Sequence, residues 1–410
     1  MGKIEINPTG VTTAKGFKAA NTAAHIKYSD RDDMAMIYSE ADCVTAGTFT
    51  RNVVKAAPVI WDRDIVTSQK PVRAVVINAG IANACTGKEG MDMCEETSKA
   101  AAKALGCNVD GVLVASTGVI GKPLPMDKIV AGVEDMSKKL ADTEEAGHAA
   151  ARAIMTTDTI SKEASVTLEI GGTTVNIGAM TKGSGMIHPD MCTMLCFITT
   201  DAAIEKALLQ KALYAAVNDS FNMISVDGDT STNDTCVVMA NGLAGNTPIT
   251  EEGEDYDTFA AGLASVTAYL ARMMAGDGEG ATALLEVKVL NADTDRDARA
   301  LAKSVVSSSL VKAAVYGHDA NWGRILCALG YSGVEFDPYK VDVYFESAAG
   351  QTQVAAAGEE ANYSEEEATA ILSEDEVTVI CDMHAGNYDA VSWGCDLTHE
   401  YVNINADYRS

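Results

Sequence analysis

Short apolar runs separated by polar turns recur along this chain, and they predict strands. Runs of this kind lie at 72–77, 112–115, 195–198 and 236–239. They are short, rich in aliphatic residues and bounded by small or polar residues, which is typical of buried strands. The runs on either side of Gly171-Gly172 predict a β-hairpin over 165–177. Nearer the N-terminus, Ile37 and Val53-Val54 mark further short strands.

Apolar residues at helical spacing predict helices between these strands. Segments with this spacing lie at 92–105, 126–154, 201–217, 250–275 and 293–315. Gly106 is a fitting C-cap for the first of them, and Asp201 is a suitable N-cap for the third. The long pattern over 126–154 breaks near Asp142-Thr143. Strands that alternate with helices favour the α/β fold class.

The C-terminal third continues the same alternation. A strand is expected at 284–290, with two more near 341–345 and 376–381. The acidic stretch 347–375, rich in Ala and Glu, is expected to form surface helix and loop. The alternation over 401–405 predicts a short strand rather than a frayed tail.

The length and composition of the chain limit the number of domains and indicate the cellular compartment. A chain of 410 residues is too long for one ordinary core, so two to three α/β domains are expected. No apolar run is long enough to span a membrane, and the segment MGKIEINPTG has no apolar signal region. We therefore expect a cytoplasmic protein without a membrane partner.

The charge balance excludes one class of partner. The formal net charge is −27, from 58 acidic and 31 basic residues. Nucleic acids require a basic surface, so they are not expected as ligands. A protein this acidic must hold cations locally if it binds an acidic small molecule, which draws attention to Lys182.

No metal or cofactor is expected. The ten cysteines are scattered without a Cys-x-x-Cys pair, and the six histidines do not cluster with them, so the thiols are expected to be reduced and a zinc site is not expected. The phrase DGDTSTND, 227–234, lacks the Glu that closes an EF-hand calcium loop. The phrase AGDGEGAT, 275–282, lacks the glycine spacing of a dinucleotide site.

The stretch 182–201, KGSGMIHPDMCTMLCFITTD, combines a Gly-rich approach with a hydroxyl at the start of a strand. Glycines here allow a loop to pass close to a ligand. Thr193, eleven residues after Lys182, is therefore a candidate nucleophile. Thr is also common in strands, and the pattern alone equally suits an ordinary strand residue.

The amino-acid sequence of this stretch resembles the self-cleavage segment of the ornithine acetyltransferase family, also called glutamate N-acetyltransferase or ArgJ. Family chains read KGSGMIxPxMATML and are cut before the Thr, so the resemblance implies cleavage between Cys192 and Thr193, with Cys192 in place of the usual Ala. About eight short motifs, spread over nearly the whole chain, resemble motifs of the family and occur in the same order. Departures include residues 21–25, where family chains carry glycines, and Ile81, where they carry Asn.

The resemblance also implies a fold and a division of the chain. The fold is an ArgJ/DmpA-like layered α/β fold with self-processing of the N-terminal-nucleophile type. The fragments are 1–192 (an N-terminal α/β domain with part of a central domain) and 193–410. The second fragment comprises the rest of the central domain, 193–283, and a C-terminal α/β domain, 284–410. Two copies of each fragment are expected to form a heterotetramer.

Site residues follow from the resemblance, position by position. Thr117 and Gly118, in a Ser-Thr-Gly turn expected after strand 112–115, take the oxyanion role. The substrate contacts are Thr156, Lys182, Thr193, Glu279, Asn405 and Ser410. Lys182 would hold the α-carboxylate of the substrates and Glu279 the distal amine of ornithine.

The implied reaction moves acetyl from N2-acetylornithine to glutamate through acetyl-Thr193, giving ornithine and N-acetylglutamate in arginine biosynthesis. Cleavage would free the α-amino group of Thr193, whose pKa of about 7.7–8.0 suits a base near neutral pH. The sequence does not decide whether acetyl-CoA is also a substrate. Two alternatives stay open: an N-terminal-nucleophile amidase or aminopeptidase that passes the acyl group to water, and a non-catalytic binding protein with an uncut loop.

Overall fold

The computed structural model describes residues 4–188 and 194–407, which form two compact units. The first unit contains 4–183, 194–222 and 230–270. The second contains 184–188, 223–229 and 271–407. Each unit is therefore assembled from segments that are separated in the sequence.

Fifteen strands occur within the described ranges. They are β1 (Phe17–Thr22), β2 (Met34–Phe49), β3 (Val72–Ile81), β4 (Val112–Val119), β5 (Lys162–Ile170), β6 (Thr173–Lys182), β7 (Leu195–Thr200), β8 (Ile224–Ser225), β9 (Thr235–Ala240), β10 (Leu284–Ala292), β11 (Asp342–Ser347), β12 (Gly350–Ala356), β13 (Glu359–Glu360), β14 (Glu376–Asp382) and β15 (Tyr388–Cys395).

Eleven α-helices occur within the same ranges. They are α1 (Ala57–Thr67), α2 (Gly87–Leu105), α3 (Met126–Ser137), α4 (Glu144–Ala153), α5 (Lys206–Asn218), α6 (Glu254–Gly276), α7 (Asp295–Val306), α8 (Ser309–Tyr316), α9 (Trp322–Gly330), α10 (Glu365–Leu372) and α11 (His399–Ala406). Short 3-10 turns lie at Val109–Gly111, Phe221–Met223 and Pro338–Lys340.

The first unit is built on one mixed sheet. Its strand order is β4-β3-β2-β9-β7-β6-β5, with β1 paired to β2, so the sheet has eight strands. The pairs β3–β4 and β7–β9 are parallel, and the others are antiparallel. Helices α1 to α5 pack against this sheet. Its core consists mainly of small and aliphatic side chains, as expected from the low aromatic content.

The second unit has a sheet of seven strands in the order β13-β12-β11-β14-β10-β15-β8. The pairs β10–β14 and β15–β8 are parallel. Helix α7 packs on β10 and β15, and α10 packs on β11, so the unit is also an α/β arrangement. The α/β fold class and the plural domains predicted from the sequence are confirmed. The cleavage fragments 1–192 and 193–410 stay a prediction.

Side chains from α1 cover the outer edge of β4. Trp61 Nε1 donates to Val112 O at 3.2 Å, and the Val114 N–H donates to Asp62 Oδ1 at 2.8 Å. Since β4 ends its sheet, these backbone groups have no neighbouring strand on that side. The register of β4 is thereby fixed from both sides before the chain reaches Thr117.

Several local predictions are confirmed. The hairpin forms as β5 and β6, and the helical pattern over 126–154 breaks into α3 and α4. Gly106 caps α2 in the left-handed conformation, with φ = +68°. These features depend on residues close together in sequence, which is why they could be predicted.

Other predictions are wrong for identifiable reasons. Asp201 does not cap a helix: its carboxylate accepts the backbone N–H groups of Lys15 and Asn176, and α5 begins only at Lys206. The alternating residues 401–405 are helical, within α11, because the Thr398 side chain accepts from the Glu400 N–H and starts a helix there.

Three more boundaries differ from the prediction. Val53 is 93% exposed and lies outside any strand. The segment 293–315 forms two helices, because the Ser308 side chain accepts from the Val311 N–H and begins a new one. The acidic stretch 347–375 contains β12 as well as helix and loop. Among the described residues, no helix has the length and apolar character needed to cross a membrane.

Candidate active site

Lys182 is the charged residue around which a candidate site in the first unit is arranged. It is the last residue of β6 and is only 7% exposed. Its Nζ donates to Thr156 Oγ1 at 2.9 Å and to Thr117 Oγ1 at 3.4 Å. The structure therefore brings together three of the residues that the sequence named separately. An ammonium beside two hydroxyls is a donor set that suits a carboxylate.

Thr117 and Gly118 lie in a strand, and the expected turn after Ala115 is wrong. β4 continues to Val119 and pairs with the end of β3. Gly118 has φ = +127°, and a Cβ there would overlap the backbone of Gly80. Only glycine meets both conditions easily, so it permits the close approach of β3 and β4 beside Thr117.

Asn233 holds the backbone next to Thr117. Its Nδ2 donates to Ser116 O at 2.8 Å and to Ala82 O at 2.6 Å. The side chain is 7% exposed, so these are buried hydrogen bonds. Because Ser116 O belongs to the peptide group that carries the Thr117 N–H, Asn233 fixes the direction of that N–H. Asn233 belongs to the segment DGDTSTND, and this contact was not predicted from the sequence.

Asp158 connects the residues of this region and was not singled out from the sequence. Its Oδ1 accepts the Gly183 N–H at 2.7 Å, and its Oδ2 accepts the Thr156 N–H at 3.1 Å. Lys162 Nζ lies 2.8 Å from Oδ1, and Lys182 Nζ lies 4.0 Å from Oδ2. One carboxylate thus orders the backbone at two site residues. The only signal in the sequence was its position, two residues after the predicted contact Thr156.

Asp158 is ionised in this setting. Burial by itself would raise the pKa of its carboxyl group, but the charges of Lys182 and Lys162 act in the opposite direction. Hydrogen bonds from Lys162 and from the Gly183 N–H add to their effect, and the pKa lies well below its usual range. The carboxylate is therefore a permanent anion at any pH where the enzyme would work.

Glu279 and Asn405 form a separate group of predicted contacts within the second unit. Asn405 Nδ2 donates to Glu279 Oε2 at 2.6 Å, and Glu279 is 7% exposed. The Glu279 N–H donates to Ser184 O at 3.0 Å, which holds the Gly-rich loop against this carboxylate. A Cβ at Gly185 would overlap the Glu279 carboxylate, so this glycine is needed for the approach. A buried carboxylate of this kind suits an ammonium ligand.

Asp227 holds the following part of the same loop. Its carboxylate accepts the N–H groups of Met186 at 2.6 Å and Ile187 at 2.9 Å. Tyr401 OH donates to Asp227 Oδ2 at 3.3 Å. Burial and then the charge of Asp227 raise the pKa of Tyr401, so its hydroxyl keeps the proton that it donates. Neither residue was singled out from the sequence, although Asp227 opens the DGDTSTND phrase.

Three predicted site residues lie outside the described residues: Cys192, Thr193 and Ser410. Within 4–188 and 194–407, no group of three or more His, Cys, Asp or Glu side chains could hold a metal ion. None of the cysteines in those ranges forms a disulfide.

Comparisons with known sequences indicate one family. The sequence model described as the ArgJ family matches residues 18–410. The "Arginine biosynthesis bifunctional protein ArgJ" of Symbiobacterium thermophilum is 52% identical over 403 residues, covering 98% of each chain. The protein of the same name from Caldanaerobacter subterraneus subsp. tengcongensis is 49% identical over 409 residues, covering 100% of this chain and 99% of its own.

Solved structures include members of the same group. A crystal structure of arginine biosynthesis bifunctional protein ArgJ from Bacillus halodurans is 49% identical, covers 51% of this chain and 97% of its own, and has a TM-score of 0.49. The ornithine acetyltransferase of Mycobacterium tuberculosis, solved in complex with ornithine, is 40% identical, covers 46% of this chain and 99% of its own, and has a TM-score of 0.44. With a family match over nearly its whole length and relatives at about half identity, this chain belongs to the ArgJ family.

Proposed function

We propose that this protein is a self-cleaving N-acetyltransferase of arginine biosynthesis. It transfers acetyl from N2-acetylornithine to glutamate through an acetyl-Thr193 intermediate, which gives ornithine and N-acetylglutamate. The observation that carries the proposal is the partly buried group formed by Lys182, Thr117 and Thr156 in a chain of the ArgJ family. Both substrates have an α-carboxylate, and this group supplies one ammonium and two hydroxyls for it.

The distal ends of the substrates differ, and Glu279 is the residue proposed to distinguish between them. Ornithine ends in an ammonium, which a buried carboxylate attracts. Asn405 donates to one oxygen of that carboxylate and so orients it. Ser410 is proposed as a further hydrogen-bonding contact, together with Thr156.

Self-cleavage uses the hydroxyl that later carries the acetyl group. Thr193 Oγ attacks the Cys192 carbonyl carbon, the proton passes to the departing amide nitrogen, and the peptide bond becomes an ester. Water then hydrolyses the ester, which restores the hydroxyl and leaves a free α-amino group on Thr193. Thr117 and Gly118 are proposed to stabilise the oxyanion of these steps, a contribution of about 2.7–4 kcal/mol per donor in known cases.

The new α-amino group is the base of the transfer reaction. It accepts the Thr193 hydroxyl proton while Oγ attacks the acetyl carbonyl, and ornithine leaves with its amine protonated. The α-amine of glutamate next attacks the acetyl ester, and Oγ regains its proton. One pocket can hold the two substrates in turn, since they share an amino-acid scaffold, so a ping-pong mechanism is expected.

Mass spectrometry tests both covalent steps. Purified protein should give fragments 1–192 and 193–410, and Thr193→Ala should stay a single chain. Acetylornithine alone, quenched rapidly, should add one acetyl group to 193–410, and glutamate should remove it. A wild-type chain that is active while uncut would rule out this mechanism. Acetate released at an equal rate without glutamate would instead identify an amidase.

Two further features belong to the proposal. We propose that acetyl-CoA is a second acetyl donor and that no resident cofactor is required; release of free CoA in the presence of glutamate measures this activity. We also propose a cytoplasmic heterotetramer of two 1–192 and two 193–410 fragments. Native mass spectrometry would show that stoichiometry directly, and a single copy of each fragment would contradict it.

A further inference from the structure

Two buried lysines share one carboxylate in the first unit, at unequal distances. Lys162 Nζ lies 2.8 Å from Asp158 Oδ1, and both side chains are 0% exposed. Lys182 Nζ lies 4.0 Å from Asp158 Oδ2. The closer ion pair with Asp158 is therefore formed by Lys162, which is not among the predicted site residues.

The carboxylate cannot easily shift toward either lysine, because the backbone holds it. Each oxygen of Asp158 accepts one N–H, from Gly183 at 2.7 Å and from Thr156 at 3.1 Å. Lys162 begins β5 and pairs in register with Thr181 of β6, so it lies beside the strand end that carries Lys182. The β5–β6 hairpin therefore places both ammonium groups near the same fixed carboxylate, that of Asp158.

Opposite charges in a buried setting attract strongly, so a single lysine beside Asp158 would be drawn into contact with it. Lys162 already occupies that position. Lys182 Nζ is directed instead to Thr156 Oγ1 and Thr117 Oγ1. We propose that Lys162 is a positioning residue: its ion pair with Asp158 keeps Lys182 directed at Thr117 and Thr156, where Lys182 binds the α-carboxylate of each substrate. This inference rests on the proposed function.

The test compares acetylornithine with N-acetylputrescine, which is the same molecule without the α-carboxylate. The ratio of their kcat/KM values measures how well the processed enzyme uses that carboxylate. Lys162→Met should let Lys182 move onto Asp158 and lower the ratio about tenfold or more, mainly by raising KM for acetylornithine. A purely structural role for Lys162 would lower activity on both donors equally and leave the ratio unchanged, which would overturn the proposal.

Companion variants separate charge from packing. In Lys162→Met with Asp158→Asn, the anion that captures Lys182 is gone, so the ratio should recover relative to Lys162→Met alone. A double variant with a lower ratio than the single variant would contradict the proposal. Lys162→Arg should preserve the ratio, and Lys162→Gln provides the same charge removal if the Met variant does not accumulate.

A control variant tests the loss of a lysine that donates to backbone carbonyl groups elsewhere in the first unit. Lys206 donates to Val66 O and Ser68 O and lies outside the site residues, so Lys206→Met should leave the ratio at the wild-type value. Wild-type enzyme that fails to use acetylornithine would refute the proposed function itself. Wild-type enzyme that uses acetylornithine, with a ratio unaffected in Lys162→Met, would refute only the role of Lys162.

Discussion

At the scale of residues, the predicted substrate contacts depend on two buried charges of opposite sign. Lys182 and Glu279 are each 7% exposed. Lys182 donates to hydroxyls, and Glu279 accepts from the Asn405 amide. A buried, poorly solvated charge acts strongly on a ligand of opposite charge.

Glu279→Gln should reduce kcat/KM for acetylornithine by roughly tenfold to a hundredfold, because a hydrogen bond to a charged group is lost in a buried site. The glutamate half-reaction should keep its rate or improve, since glutamate has a carboxylate where ornithine has an ammonium. Steady-state kinetics of each half-reaction checks this, with the melting temperature as a measure of folding. Equal losses in both half-reactions would remove Glu279 from the role of selecting ornithine.

Gly185→Ala tests the role of Glu279 in a second way, because it disturbs the Glu279 carboxylate without changing any charge. The added methyl group would overlap the Glu279 carboxylate and displace it. Gly253→Ala is a matched control, since a Cβ there meets no atom within 4 Å. The Gly185 variant should resemble Glu279→Gln in its kinetics, and the control should resemble the wild type.

At the scale of elements, β4 is an edge strand that carries Thr117 and Gly118 and is held by α1. Asp62 accepts the Val114 N–H, while its other oxygen is buried without a hydrogen bond to the described residues. Burial raises the pKa of Asp62 well above its ordinary value, and the bond from Val114 opposes this only partly. Asp62 is therefore expected to hold β4 as a neutral acid.

If Asp62 is neutral in the folded protein, the free energy of unfolding should depend on pH. The folded-state pKa of Asp62 exceeds the unfolded value of about 3.9, so its contribution to stability is complete below that pH and is lost as pH rises through the folded-state pKa. Within that window the loss approaches about 1.4 kcal/mol per pH unit. Urea unfolding of wild type and Asp62→Asn from pH 4.5 to 8 should show a difference in free energy that changes with pH. A constant difference would mean that Asp62 ionises normally.

At the scale of the whole molecule, the first sheet interleaves the two predicted fragments. Strands β7 and β9 come after Thr193, yet they lie between β2 and β6, which come before it. β9 pairs with β2, and β7 pairs with β6, along six residues each. Separating the fragments would break both ladders in the middle of the sheet.

We therefore expect fragments 1–192 and 193–410 to stay together after cleavage. A tag on either fragment should recover both in equal amounts from native buffer, and only denaturant should separate them. The 1–192 fragment expressed alone should be unfolded, because it lacks β7 and β9, which lie in the middle of its sheet. Circular dichroism of the separate fragments tests this, and a folded, soluble 1–192 fragment would contradict it.

The sequence by itself determined the features that depend on neighbouring residues. The hairpin around Gly171-Gly172, the C-cap at Gly106 and the break between α3 and α4 all follow from local backbone preferences and apolar spacing. The stretch around Thr193 and the order of the matching motifs along nearly the whole chain also indicated the family, which the comparisons confirmed.

Only the tertiary structure decided which distant groups meet. Asp201 could have capped a helix, but it bonds to Lys15 and Asn176 because those segments meet beside it. Asp158 was one acidic residue among 58 until the fold placed it against Lys162 and Lys182. Apolar spacing and capping act over a few residues and are visible in the sequence. A buried charge network depends on which strand ends adjoin, and that is settled by the packing of the whole sheet.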